Sequence, residues 1–166
     1  NCNQEVFQLK KGAPISLFIE DNYNSIIDKI SILPKLSDFC KITQGTKPFQ
    51  TGKGTPKQTK EIVKEKPYVS VSYKDGFRPL LRGSLIDKYE IRWDNNYFIK
   101  YGIWLAEPRE SANYDANEKI IIRQTGDSVI ATIDTMKFIV RDNLYTCLPL
   151  KHSVSLYTIL GILNSK

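Results

Sequence analysis

The span Arg78-Pro79-Leu80-Leu81-Arg82-Gly83-Ser84-Leu85-Ile86-Asp87-Lys88-Tyr89 sets two arginines among apolar pairs, a proline and a glycine. Pro79 fixes its own φ and biases Arg78 towards an extended conformation. Gly83 permits a sharp turn or the close approach of another backbone. Leu80, Leu81, Leu85 and Ile86 can anchor the segment from below and leave Arg82 free to reach outward. A buried turn with merely solvated arginines fits the same residues. The second stretch with chemistry to offer is Thr46-Lys47-Pro48-Phe49-Gln50-Thr51-Gly52-Lys53-Gly54-Thr55-Pro56-Lys57-Gln58-Thr59-Lys60, whose lysines and hydroxyls suit phosphate contacts. It is not a P-loop: Gly54 follows Lys53 where Ser or Thr is required, and the upstream glycine is missing.

The charge balance points the same way. The net charge is +6, yet residues 41–66 alone hold seven lysines against Glu61 and Glu65, so the remainder is nearly neutral. A local basic stretch on a balanced domain is the electrostatic footprint of a nucleic-acid partner, although a solvated lysine-rich loop has the same composition. Apolar content of 41% and charged content of 25% are ordinary for a soluble globular chain. No apolar run approaches the length of a membrane span, and residues 1–13 lack a signal-peptide pattern. Cys2, Cys40 and Cys147 are odd in number and far apart, which suggests neither a disulfide framework nor a zinc-binding pair, and reduced thiols in a cytosolic protein are expected. His152, the single histidine, leaves little room for His-based metal sites or Ser/His and Cys/His catalysis. Met136 is the only methionine, so the chain lacks an initiator and is expected to be an excised piece of a larger protein.

Stepping along the chain gives the elements that must position these residues. Residues 14–33 are amphipathic, with Ile26, Ile27, Ile30 and Leu33 at helical spacing and Pro34 as the stop. Residues 39–44 alternate like a short strand ended by Gly45. Residues 46–60 read as a long loop with little material for a core, of the kind that is functional or disordered. Strands are expected at 68–73, 89–93 and 97–105, and a polar loop at 106–117. A hairpin is expected from Lys119–Thr125 and Ser128–Asp134 about Gly126-Asp127. A second should join Lys137–Val140 to Leu144–Leu148 about Asp142-Asn143, and residues 155–166 read as a closing helix. The order implies an α+β fold: a twisted, mostly antiparallel β domain with an N-terminal and a C-terminal helix. The expected division is 1–38 as a helical connector and 39–166 as the functional domain.

Four blocks in this order resemble the TaqI-like C-terminal specificity domain of type IIG restriction enzymes and related adenine-N6 DNA methyltransferases. They are Ile42-Thr43-Gln44-Gly45-Thr46, the Arg78–Tyr89 block, Lys119–Thr125, and Ile159-Leu160-Gly161-Ile162-Leu163-Asn164-Ser165-Lys166. The second is similar to the family's Pro-hydrophobic-hydrophobic-Arg-Gly-x-x-Ile-x-x-Tyr pattern, and type I specificity subunits share a looser version. The resemblance implies a bacterial, cytoplasmic target recognition domain that reads double-stranded DNA for a methyltransferase catalytic domain in the same parent chain. The chain departs from the full-length enzymes in lacking a Pro-Pro pair and a Phe-x-Gly-x-Gly loop, and no acidic residue stands two positions before a lysine. Methyltransferase and nuclease sites are therefore expected elsewhere in the parent. S-adenosylmethionine, and Mg if the parent also cuts, would bind there and no cofactor here.

On that reading recognition divides into two tasks. Thr46, Lys47, Lys53, Lys57 and Lys60 would hold phosphates, with Thr51 and Thr55 assisting. Arg82, Arg123, Gln124 and Gln44, with Gln50 behind them, would read base edges through bidentate bonds. Ion pairs of Arg82 or Arg123 with Asp87, Asp127 or Glu118, or a bond to a loop carbonyl, are the alternative use of the same fork. Trp93, Trp104, Tyr97, Phe98 and Tyr101 are expected in the core. The target adenine would be extruded into the catalytic partner. Two other classes stay open: a sequence-tolerant RNA or single-strand binder, favoured by exposed aromatics on one sheet face, and a protein-interaction module docking through the apolar helices.

Overall fold

The computed structural model describes residues 26, 28–150 and 154–165, and the chain divides into two compact units, 1–35 and 36–166. In the first unit residues 26 and 28–31 are helical, and the Ser31 hydroxyl donates to the Asp28 carbonyl. The remainder of the helix expected over 14–33 lies outside the described residues up to that point, and the helical turns end before Pro34.

The second unit begins with a short helix α1 (Leu36–Phe39) and strand β1 (Cys40–Gln44). A four-stranded antiparallel sheet follows the order β1-β10-β7-β8, with β7 at Lys119–Arg123, β8 at Ala131–Asp134 and β10 at Leu144–Pro149. Its register sets Ile42 opposite Cys147, Cys147 opposite Ile120, and Ile120 opposite Ile133. Alternate residues face opposite ways along a strand. Cys40, Ile120, Ala131 and Cys147 therefore meet Leu156, Ile159 and Leu160 of the closing helix α4 (Leu156–Asn164). Ile121 and Leu144 turn the other way, into a second cluster with Leu80, Leu81, Ile99, Ile139 and Val140. Asn164 closes the edge of β8 like an added rung: its Nδ2 donates to the Ala131 carbonyl and its Oδ1 accepts from the Ala131 amide.

The second sheet runs β2-β6-β3-β9, where β2 is Val69–Ser70, β3 Arg78–Leu81, β6 Phe98–Ile99 and β9 Ile139–Val140. Its pairs are antiparallel except β3 with β9, which is parallel. A two-stranded ribbon, β4 (Ile86–Asp87) with β5 (Glu90–Ile91), completes the set. Gly45 lets β1 pass the second sheet backbone to backbone. A Cβ there would fall 2.1 Å from the Arg141 carbonyl oxygen, closer than any real contact.

The fold is α+β and mostly antiparallel, as the order of elements implies, with four local departures. The expected hairpin between Lys137–Val140 and Leu144–Leu148 does not form: β9 pairs with Leu80–Leu81, while β10 pairs with β1 and β7. Ile139 and Val140 are both fully buried, and a two-residue strand buried on both faces has more to gain inside the core than beside its sequence neighbour. The segment 106–117 is not a plain loop, because α3 (Ala112–Asp115) carries Asn113 and Tyr114 into the interior. The strands at 68–73, 89–93 and 97–105 shrink to two residues each, and Val71 and Tyr73 are exposed. The β7–β8 hairpin keeps the register centred on Gly126-Asp127, but its ladder stops where the Arg123 amide meets the Ile130 carbonyl.

The lysine loop is ordered instead of structureless. Gln58, 2% exposed, latches it: Nε2 donates to the carbonyls of Pro48 and Trp104, and Oε1 accepts from the Gln50 amide. Gly52 and Gly54 take φ of +80° and +85°, a region open to glycine, and a Cβ on Gly54 would strike the Trp104 carbonyl. Helix α2 (Lys60–Glu65) follows, capped by the Thr59 hydroxyl accepting from the Ile62 amide.

Candidate nucleic-acid interface

The apolar anchors of the Arg78–Tyr89 block hold it as their spacing suggests. Leu80, Leu81, Leu85 and Ile86 are buried, and Arg82 stands exposed between them, at the start of a single 3-10 turn (Gly83–Leu85). Its guanidinium lies 5.0 Å from the centroid of the Tyr97 ring, a contact worth about 0.5–1 kcal/mol at an exposed site. No carboxylate among the described residues pairs with it. Asp87 is taken by Arg92 at 3.1 Å, and Glu118 accepts from the Tyr157 hydroxyl. Arg78, the other arginine of the block, pairs with Asp115 and donates to the Lys137 carbonyl.

Arg123 and Gln124 come to the same place. A Cβ on Gly83 would sit 3.4 Å from Cγ and Cδ of Arg123, so the turn and the end of β7 pack closely. Asn143 ties them together: its Oδ1 accepts from the Gly83 amide and its carbonyl from the Gln124 amide. Arg123 forms no ion pair, but its Nε donates to the Thr125 carbonyl at 3.0 Å, the loop-carbonyl use weighed for it. Gln124 is exposed. The sequence marks Asn143 only as a turn residue, and nothing in it shows that its side chain bridges two elements remote in sequence. Asn143→Ala should leave the buried Gly83 amide unpaired, at a cost of ~1–3 kcal/mol in a chemical melt, and loosen Arg82 against Arg123. A stability change below a few tenths of a kcal/mol would show that water replaces the side chain.

Two residues expected at the interface serve the frame instead. The Gln44 amide is spent on both ends, Nε2 donating to the Asp142 carbonyl and Oε1 accepting from Arg109. Thr46 is fully buried, with its hydroxyl donating to the Glu107 carbonyl, so it cannot reach a phosphate through that group. Gln44 thereby satisfies a carbonyl beside the close backbone contact at Gly45, while Thr46 adds a second bond to a Glu107 carbonyl that already accepts from the Lys47 amide.

Lys53, Lys57 and Lys60 are exposed and make no ion pair among the described residues, and Lys47 is half-buried at the base of the loop. Gln50 is partly buried, with its amide held by Gln58. The residue that sequence reasoning missed is Arg141, which follows β9. Its Nη1 donates to the Tyr97 hydroxyl, while its Nε is buried without a hydrogen bond. Of the five aromatics expected in the core only Phe98 is buried; Trp93, Tyr97, Tyr101 and Trp104 are partly buried and pack against the core, Trp93 edge-on between Phe98 and Phe138. Trp104 tilts against Tyr68, and Tyr101 packs edge-on to Tyr114.

Cys40 and Cys147 are both buried and free, and burial pushes the Cys147 thiol well above its ordinary value, which suits packing and not nucleophilic attack. His152 lies outside the described residues. Among the described residues no cluster of His, Cys, Asp or Glu could hold a metal ion, and no helix is long and apolar enough to cross a membrane.

An α+β frame that offers arginine forks at one turn and lysines on a latched loop is equipped to hold an anionic partner, the class of a recognition module. Residues 78–166, more than half of the chain, match the TaqI-like C-terminal specificity domain, and the chain belongs to that family. It is a specificity domain of the restriction–modification type, a class generally without catalysis of its own. No curated protein matches the chain.

Proposed function

We propose that this domain reads a short sequence in duplex DNA for a methyltransferase module of the same parent chain. The reading is carried by one observation: Arg82 projects from a turn with its guanidinium paired to no carboxylate among the described residues, beside the Arg123 end of β7 that Gln124 continues. Arg82 presents a fork that matches the O6 and N7 edge of guanine, and Gln124 an amide that matches adenine. Arg123 has one nitrogen committed to its own loop and contributes with what remains. Lys53, Lys57 and Lys60, with Lys47 at the base, neutralise phosphates and set register without reading sequence. Packed aromatics favour duplex reading over a single-strand platform.

The parent activity that fits is adenine-N6 methylation, with an endonuclease in the type IIG arrangement. S-adenosylmethionine and Mg belong to those catalytic parts, in a bacterial cytoplasm. Residues 1–38 are the connector towards them, and residues 39–166 the recognition unit.

The test is fluorescence-anisotropy binding to a random-sequence duplex pool, followed by selection of the bound sequences. Arg82→Ala should lose ~1–3 kcal/mol of discrimination at one base position, about ten- to a hundredfold, with little change in non-specific affinity. A variant that selects the same site as the wild type would remove base readout from Arg82.

A further inference from the structure

A cavity of about 270 Å³ opens between the lysine loop and the end of β9, walled among others by Lys47, Phe49, Lys66, Tyr97, Arg141 and Asp142. Three cations thus line it with one carboxylate. Among the described residues the ammonium groups of Lys47 and Lys66 make no hydrogen bond or ion pair. The nearest carboxylate to the buried Arg141 Nε is Asp142, at 3.6 Å, too far for a hydrogen bond. A buried donor with an ion pair but no hydrogen bond, and three like charges gathered around one counter-charge, both call for an anion. The volume falls just below the range of drug-sized ligands, which suits a single small group.

The walls add a second requirement. Phe49 is stacked on Tyr68, with centroids 5.7 Å apart and planes 7° from parallel, so its ring is fixed. Tyr97 is fixed as well, by the Arg82 guanidinium over its face and Arg141 at its hydroxyl. Rigid aromatic walls beside clustered cations match a planar base joined to a phosphate.

We infer that this cavity seats one unpaired nucleotide of a DNA strand, its phosphate on Lys47, Lys66 and Arg141 and its base against Phe49 and Tyr97. The assignment deepens the duplex-reading function and rests on it. It gives the domain a grip on DNA whose pairing is locally broken, separate from the Arg82 turn that reads paired bases.

The test compares binding of this chain to a perfect duplex and to the same duplex carrying a single-nucleotide bulge. The expected result is about tenfold tighter binding of the bulged duplex. Lys66→Glu, at an exposed side chain without partners, should erase that preference. Lys60→Glu makes the same charge change outside the cavity, and should weaken both duplexes alike and keep the preference. Free dAMP should compete the preference away, and inorganic phosphate at matched ionic strength should not. Equal binding of the two duplexes, or a preference that survives Lys66→Glu, overturns the seat while duplex reading stands. Competition by phosphate as effective as that by dAMP overturns the base half of the assignment. Binding of dAMP with neither duplex bound would assign the cavity to a free nucleotide and overturn the strand source. Failure to bind dAMP or either duplex overturns the seat and the duplex reading together.

Discussion

Replacing Lys47, Lys53, Lys57 and Lys60 together by alanine should flatten the salt dependence of duplex binding. Each phosphate neutralised releases counterions and contributes ~0.9 to the slope of log affinity against log salt, so four contacts account for about 3–4. Over a fourfold rise in salt that difference amounts to about a hundredfold in affinity. The wild type should therefore lose binding steeply where the variant changes little from an already weak start. Because these lysine ammonium groups make no hydrogen bond or ion pair among the described residues, the variant should melt with the wild type. Parallel slopes for the two proteins would move the phosphate contacts off this loop. A shallower slope with an unchanged selected sequence would separate the lysines' task from that of Arg82.

The largest effect on stability is expected at Lys119, whose ammonium is fully buried against the equally buried Asp134 carboxylate at the far end of β7 from Arg123. Burial pulls the Lys119 ammonium below its ordinary value, while the pairing with Asp134 opposes that pull. Asp134 also accepts from the amides of Met136 and Phe138, and Lys119 donates to the Tyr114 carbonyl. Lys119→Ala strands a buried carboxylate, and removing one partner of such a pair costs about 3–5 kcal/mol. Urea unfolding would show the loss as a lower midpoint at constant slope. Lys119→Met combined with Asp134→Asn should cost less than the two single changes summed, since each single change strands a buried charge and the pair together leaves none. A loss under about 1 kcal/mol for Lys119→Ala would mean that the carboxylate takes up a proton or water in place of the ammonium. With the expected large loss of stability, DNA binding lost in Lys119→Ala would report on folding and not on contact.

Much of the frame around the candidate interface was legible because it rests on short-range rules. The apolar pairs around Arg82 have to face inward on a short strand, which leaves the arginine between them outside. The turn residues at Gly126-Asp127 set the β7–β8 register even though the outer rungs are missing. What could not be read depends on partners far apart in the chain. The fate of Gln44 and Thr46 is decided by Asp142, Glu107 and Arg109, more than sixty residues away for each hydrogen bond. The departure of β9 from its expected hairpin follows from the space that Leu80 and Leu81 leave beside them, which no local pattern records. Lys119 at a strand start reads as solvated, because its buried counter-charge is visible only once the register is known. The loop at 46–60 reads as structureless because the Gln58 side chain, an ordinary polar residue in sequence, satisfies its carbonyls.

That latch has a further consequence. Ordering a loop costs about 1–2 kcal/mol of backbone entropy per residue. Here the cost is met when the chain folds, so on the proposed reading DNA would meet a fixed constellation of cations and would not have to freeze a mobile one. Two of the contacts closing the loop come from outside it: the Trp104 carbonyl, which accepts from Gln58, and the Ile103 carbonyl, which accepts from the Thr55 amide. The loop and its socket at 103–104 are thus one exchangeable part. A graft that moved residues 46–60 alone into a related domain would carry the lysines without the geometry that makes them useful.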